Sequence, residues 1–314
     1  MRILVTGGAG FIASNVVDRF IELGHDVLVL DDLSSGFREF VNPRARFEHV
    51  SVTDAAAVER VFVSFRPEIV DHHAAQIDVR HSVTDPVHDA SINILGGLAL
   101  LEACRRHGVK KFVYASTGGA IYGEGRQLPA TEDHPINPEA PYGASKHALE
   151  HYLYIAKLLH GVDYTALRYP NVYGPRQNPH GEAGVNAIFI GLMLQRKRPR
   201  IFGTGDQVRD YVFVDDVVDA NVLALERASG EIANIGTGVG TSVNDIVREL
   251  NGILGTHIEP IYEAARPGEV QRIYLDATKA KRVLGWTPKT SFRDGLRRTV
   301  EWSKTNPLPV KSPA

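Results

Sequence analysis

Tyr142 and Lys146 stand four residues apart just after Pro141, in a stretch with helical patterning, a spacing that puts both side chains on one helix face. Ser116 and Thr117 close a preceding apolar run, so two hydroxyls end a strand. These are the parts of an acid/base site. A phenol ordinarily titrates near pH 10, so serving as a base at pH 7 requires a drop of about 3 units, roughly 4 kcal/mol. An exposed ammonium at 4 Å supplies about 1 kcal/mol in water and about 4 kcal/mol when partly buried. A positively charged ring beside the pair would add to that. Most Tyr and Lys residues at this spacing are a packed ring and a solvated ammonium, so the assignment needs a cofactor site nearby.

That site is legible at the start of the chain. Val5 to Ala13, VTGGAGFIA, follows the apolar run Ile3 to Val5 and leads into a helical pattern of Phe11, Ile12, Val16, Val17, Phe20, Ile21 and Leu23. Gly8, Gly10 and Ala13 satisfy G-x-G-x-x-G/A, in which small residues allow a tight turn, close approach of a pyrophosphate and helix–strand packing. The free N–H groups of the helix start then receive phosphate. A second strand, Val27 to Leu30, ends at Asp31 and Asp32. A carboxylate there suits the adenosine ribose hydroxyls and repels a 2′-phosphate, which favours NAD over NADP. Asp31, nearer the strand, is the better candidate; Asp32 serves equally well as a turn cap in DDLSSG.

Further along, Thr53 and Asp54 cap a helix, and Glu68 to Asp71 forms a strand ending in His72 and His73. Neighbours in a strand face opposite ways and no further ligand stands at zinc-like spacing, so no metal site is expected. Pro86 opens a long helix through Asn93 to His107, and Lys111 to Ala115 forms the next strand. This alternation predicts an α/β fold, a Rossmann-type doubly wound parallel sheet, up to about residue 169. Arg168 to Gly184 is rich in Pro, Gly and Asn and leaves that unit. Asp210 to Val214 and Ile232 to Ile235 read as a return to the sheet. The expected division is residues 1–168 plus about 210–236 for the cofactor, and about 169–209 plus 237–314 as a smaller α/β substrate domain.

Composition narrows the partners. The 314 residues carry a formal charge of −2, which gives no basic surface for nucleic acid or membrane. The longest apolar run, Ile94 to Leu101, is too short to span a bilayer, and a strand starting at Arg2 leaves no room for a signal peptide. The single cysteine, Cys104, excludes an intramolecular disulfide and reads as a buried helix residue. A cytoplasmic location is therefore expected.

The chain resembles the extended short-chain dehydrogenase/reductases and, within them, the NAD-dependent UDP-glucose (UDP-galactose) 4-epimerases. TGGAGFIA, DDLSSG, HHAAQ, YASTGGAIYGE, YGASK, LRYPNVYGPRQ, GTGDQVRDYVFVDD, RPGE and DATKAKRVLGW carry the resemblance over nearly the whole length. It implies Tyr142 as catalytic base, Lys146 as its activator, and Thr117, with Ser116 beside it, as the hydroxyl reaching the sugar's 4-oxygen. It implies NAD contacts at Gly7, Gly10, Phe11, Ile12, Asp31, Asp32, Ser35, Gly36, Asp54, Ala74, Ala75, Gln76, Asn93, Ser116, Tyr142, Lys146 and Tyr169. Asn171, Val185, Arg209, Arg266 and Glu269 would hold the UDP-sugar beside Thr117 and Tyr142, the arginines offering planar forks to phosphate. Dehydratase and decarboxylase relatives place an acid close after the threonine. Here Gly118, Gly119 and Ala120 follow, which leaves reversible oxidation at C4 through a 4-keto sugar, with NAD reduced and reoxidised in one turnover.

Relatives that take only hexoses carry a tyrosine seven residues after the arginine of R-x-G-[DE]. Ile273 stands there, implying a smaller wall that admits N-acetylated sugars. UDP-N-acetylglucosamine and UDP-uronate remain alternative substrates. A reductase or dehydrogenase with exchangeable NAD(P) and a non-catalytic NAD-sensing scaffold are the competing functions. Relatives dimerise through two helices, and Pro86 to His107 and Tyr142 to His160 are the candidates for a homodimer.

Overall fold

Ile3, Leu4 and Val5 are wholly buried, as a central parallel strand covered by helices on both faces requires. The computed structural model describes residues 1–179, 184–266 and 270–306. Its main sheet has seven strands: β1 (Arg2–Thr6), β2 (Asp26–Asp31), β3 (Arg46–His49), β4 (Ile69–His72), β5 (Lys111–Thr117), β6 (Asp163–Tyr169) and β10 (Glu231–Asn234). All pairings are parallel, in the order β10-β6-β5-β4-β1-β2-β3. The order reverses between β1 and β4, and the crevice beyond the carboxyl ends of such strands is where an open α/β sheet binds its ligand.

Helices cover both faces. Helix α1 (Phe11–Glu22) and α8 (Val214–Ala224) pack Val16, Val17, Phe20, Val217 and Ala220 against one side. On the other, α2 (Ala55–Phe65), α5 (Gly97–His107) and α6 (Pro141–His160) supply Val58, Phe62, Leu100, Cys104, Leu149 and Leu153. Cys104 is accordingly buried. The helix expected over Pro86 to His107 is continuous but irregular. After α3 (Val79–Thr84) it begins as α4 (Pro86–Ala90), widens to a π-helical turn over Ser91–Gly96, and resumes as α5. Such widened turns concentrate at functional sites.

A second layer follows β6. Strand β7 (Asn171–Tyr173) leads through α7 (Val185–Leu194) and β8 (Arg200–Phe202) to β9 (Val208–Phe213). Asp210 to Phe213 does not return to the main sheet, as its position in the sequence suggested. Strand β9 is instead the spine of a small sheet, pairing with β7, with β11 (Gly240–Ser242) and with β13 (Arg272–Ile273). Only β10 rejoins the main sheet, beside β6. The apolar residues of β9 suit either sheet; the partners available across the fold decide between them. Helices α9 (Val243–Leu254), α10 (Thr278–Leu284) and α11 (Phe292–Thr305) and the pair β8–β12 (Ile261–Glu263) complete the chain. Among the described residues, no helix is long and apolar enough to cross a membrane.

Candidate active site

The glycine turn is built for close approach. Gly7 has φ +70°, and a Cβ there would lie 2.7 Å from the Ala74 nitrogen and 3.0 Å from the His73 carbonyl carbon. Glycine alone satisfies both demands. Gly7 N donates to Leu30 O at 2.9 Å and Gly10 N to Gly7 O at 2.9 Å. Gly10 is the N-cap of α1 and offers no side-chain cap, so the first-turn amides of Phe11 and Ile12 depend on something from outside the helix. Asp31 clamps the turn, accepting from Ala9 N at 2.9 Å and Leu33 N at 2.8 Å. Asp32 accepts from Ser34 N at 2.9 Å, as a turn cap does. Uncapped amides, a turn that excludes any Cβ and a carboxylate at the next strand end together fit the dinucleotide anticipated from the motif.

A cavity of about 1980 Å³ starts at this turn. Asp31, Asp32, Ser35 and Gly36 line one end; Gly7, Gly10, Phe11, Ile12, Ala74, Ala75 and Gln76 line its middle. Ser116, Thr117, Tyr142, Lys146 and Tyr169 form the junction, and Asn171, Val185, Arg209 and Arg266 the far wall. Two of the expected cofactor residues do not reach it. The Asp54 carboxylate caps α2, accepting from Ala57 N at 2.9 Å, and the wall there is made by Val50 to Thr53 and Ala55. Asn93 lies behind the wall: the widened turn aims its amide at Gln76 O (3.0 Å), Asp89 Oδ1 (3.1 Å) and Ser145 Oγ (3.1 Å). Ser51 and Val52 were missed by the sequence reading, although they follow β3 at the same sheet edge as Asp31. Glu269 lies outside the described residues.

At the junction, Tyr142 and Thr117 share a hydrogen bond that pulls the phenol pKa down, but burial, the larger effect, pushes it up to about 12. Lys146 is buried, and that burial brings its ammonium down to about 7, against the pull of Glu150 and Asp89. Its Nζ sits 4.4 Å from the Tyr114 ring centroid. Burial thus keeps the Tyr142 phenol neutral at pH 7. A cationic ring held alongside would favour the phenolate. Ser116 plays a different part from Thr117: its hydroxyl donates to Glu150 Oε1 at 2.6 Å, and Arg168 holds the same carboxylate through Nε (2.9 Å) and Nη2 (2.7 Å). This buried pair locks α6 onto β5 and β6, and so sets the position of Tyr142 about two turns away.

On the far wall the Arg209 guanidinium donates to Val208 O (3.0 Å) and Val270 O (2.6 Å), and the Arg266 guanidinium stacks 3.8 Å from the Phe202 ring centroid. Ile273 is not part of the wall. It is 2 % exposed and packs with Ile121, Tyr122, Ala130 and Leu275, because β13 turns it inward beside β9. The reason to expect a smaller sugar wall at that position is thereby removed. Among the described residues no group of three or more His, Cys, Asp or Glu is arranged to hold a metal ion.

Comparison with known proteins follows the same lines. The sequence model of the NAD dependent epimerase/dehydratase family matches residues 3–236. A UDP-glucose 4-epimerase of Mycolicibacterium smegmatis is 45 % identical over 307 residues, 96 % of this chain and 98 % of the relative. Among solved structures, the UDP-glucose 4-epimerase of Thermotoga maritima with UDP-glucose is 52 % identical, with TM-score 0.95 over 97 % of this chain and 99 % of that one. The Thermus thermophilus UDP-glucose 4-epimerase in complex with NAD is 46 % identical, with TM-score 0.93 over 97 % and 99 % of the two chains.

Proposed function

Because the chain belongs to the NAD-dependent epimerase/dehydratase family, we propose that it interconverts UDP-glucose and UDP-galactose by inverting C4 through a transient 4-keto sugar. The observation that carries this reading is the junction itself: Thr117, Tyr142 and Lys146 meet where one cavity joins the glycine turn to Arg209 and Arg266. Tyr142 takes the proton of the sugar's 4-hydroxyl, with Thr117 bridging to the same oxygen. Lys146, one helical turn on, stabilises the phenolate. Bound NAD supplies the redox chemistry, accepting and returning two electrons at C4. Gly118, Gly119 and Ala120 place no acid beside the ketone, so elimination and decarboxylation lack a proton donor there. Asn171, Val185, Arg209 and Arg266 hold the UDP portion while the ketone turns over. The seven-stranded unit holds the cofactor, and the layer built on β9 holds the nucleotide sugar.

A homodimer is part of the proposal. Tyr152, Ile155, Leu158 and Leu159 of α6 and Val87 and Leu95 of the neighbouring helix are exposed large apolar side chains, a patch that favours a second copy. A role in galactose metabolism in the cytoplasm is part of the same reading, supported by the activity and by a single cysteine that forms no intramolecular disulfide. One preparation tests these readings: purified protein should sediment as a dimer, contain one NAD per chain, and equilibrate the two UDP-sugars without added cofactor. Tyr142→Phe should keep its NAD and lose about a thousand-fold in turnover. Product formation that consumed external NAD(P)H one for one would replace the epimerase by a reductase.

A further inference from the structure

The adjacent histidines that end β4 part company: His72 is buried against Phe112 and Tyr114, while His73 lines the cavity. Two histidines on α6 do the opposite. His147 and His151 stand four residues apart, a spacing that brings side chains together on one helix face. Their Nε2 atoms are 3.1 Å apart, and their rings are tilted by 69° with centroids 4.6 Å apart. His151 is exposed and His147 partly so, on the side of α6 away from the cavity. None of the acid/base, cofactor-binding or substrate-holding steps uses this pair.

One of the two rings is oriented from behind. His147 Nδ1 lies 2.9 Å from Glu150 Oε2, and the same carboxylate is held by Arg168 and Ser116. A carboxylate paired with arginine only accepts, so His147 Nδ1 carries the hydrogen and, in the neutral ring, Nε2 keeps its lone pair. A hydrogen bond from the second ring nitrogen to a carboxylate is the arrangement that fixes the tautomer of a metal-bound histidine. Two metal–nitrogen bonds of ordinary length subtend an angle of about 100° across a gap of this size, between the square and the tetrahedral values. We propose that His147 and His151 form a binding site for a divalent transition ion of the zinc, nickel or copper class, with Glu150 as the positioning carboxylate behind His147. Imidazole pairs favour these ions over magnesium and calcium, which take oxygen ligands. No third His, Cys, Asp or Glu completes the set among the described residues, so water fills the remaining positions. Both ligands stand on one helix, which spares most of the ordering that chelation would otherwise cost.

The inference is independent of NAD and of the sugar, so its test reads bound metal rather than turnover. Tag-free holoprotein is stripped with EDTA, desalted and dialysed against graded zinc or, separately, magnesium at about pH 8, where imidazole is neutral. Bound metal, NAD content and Tm are measured on the same samples. The parent should show a saturable site for one zinc ion per chain and none for magnesium. His147→Gln and His151→Gln should each weaken that site about a hundred-fold, the worth of joining two ligands in one chelate, with NAD content as in the parent. Zinc bound equally by the parent and by His151→Gln overturns the proposal, as does a parent that binds none. If His147→Gln does not fold, His151→Gln, at an exposed position, is read alone against the same expectation.

Discussion

The two walls of the cavity are built by different means. The cofactor wall is made of strand ends and the turns just after them, β1, β2, β4, β5 and β6 in register, and much of what it presents is backbone. The substrate wall is made of single side chains from β7, α7, β9 and the segment before β13, which meet only because β9 pairs with three other strands. On the first wall one wrong atom closes the site. On the second, each residue is expected to contribute a separable share, so that losing one weakens binding without abolishing it.

Substitutions test that contrast directly. The largest effect is expected at Gly7: Gly7→Val brings side-chain carbon against the Ala74 backbone and forces a positive φ on a β-branched residue. Protein that folds should be purified with essentially no NAD, and full occupancy would show that the turn can relax. A smaller effect is expected from Arg209→Ala. KM for UDP-sugar should rise about ten- to a hundred-fold with NAD content unchanged, as for loss of a charged hydrogen-bonding group. Loss of NAD in that variant would mean that the two walls are not separable. The smallest effect concerns Asp54, a helix cap in this structure. Asp54→Ala should cost about 1 kcal/mol, lower Tm by about 2 °C, and leave NAD retention as it was. Accelerated release would return Asp54 to the cofactor wall.

The contrast also governs how far the sequence could be read. The glycine turn, the carboxylate after β2 and the pairing of Tyr142 with Lys146 are legible because each depends on spacing within one loop or one helix turn. Asp54 was read as a cofactor contact although its neighbours already marked it as a cap; a displacement of a few residues separates it from Ser51 and Val52 on the wall. Ile273 was assigned to the sugar wall by its distance from Arg266. The inward turn of β13 places it in an apolar cluster instead, and counting along the chain cannot register which side of a strand is occupied. The buried ion pair of Glu150 and Arg168 that holds α6 was not anticipated at all, since its members lie on different elements and carry no local pattern.

The sequence by itself determined the class of fold and the glycine turn, and set Tyr142 and Lys146 one turn apart on one helix, because these follow from periodicity and from steric rules that act over a few residues. Only the tertiary structure decided that β9 leaves the main sheet, that Ser116 serves Glu150 while Thr117 serves Tyr142, and that of two neighbouring histidines one is core and the other lines the cavity. Those choices depend on burial and on which groups the packed chain brings within reach. Neither quantity exists until distant segments have met.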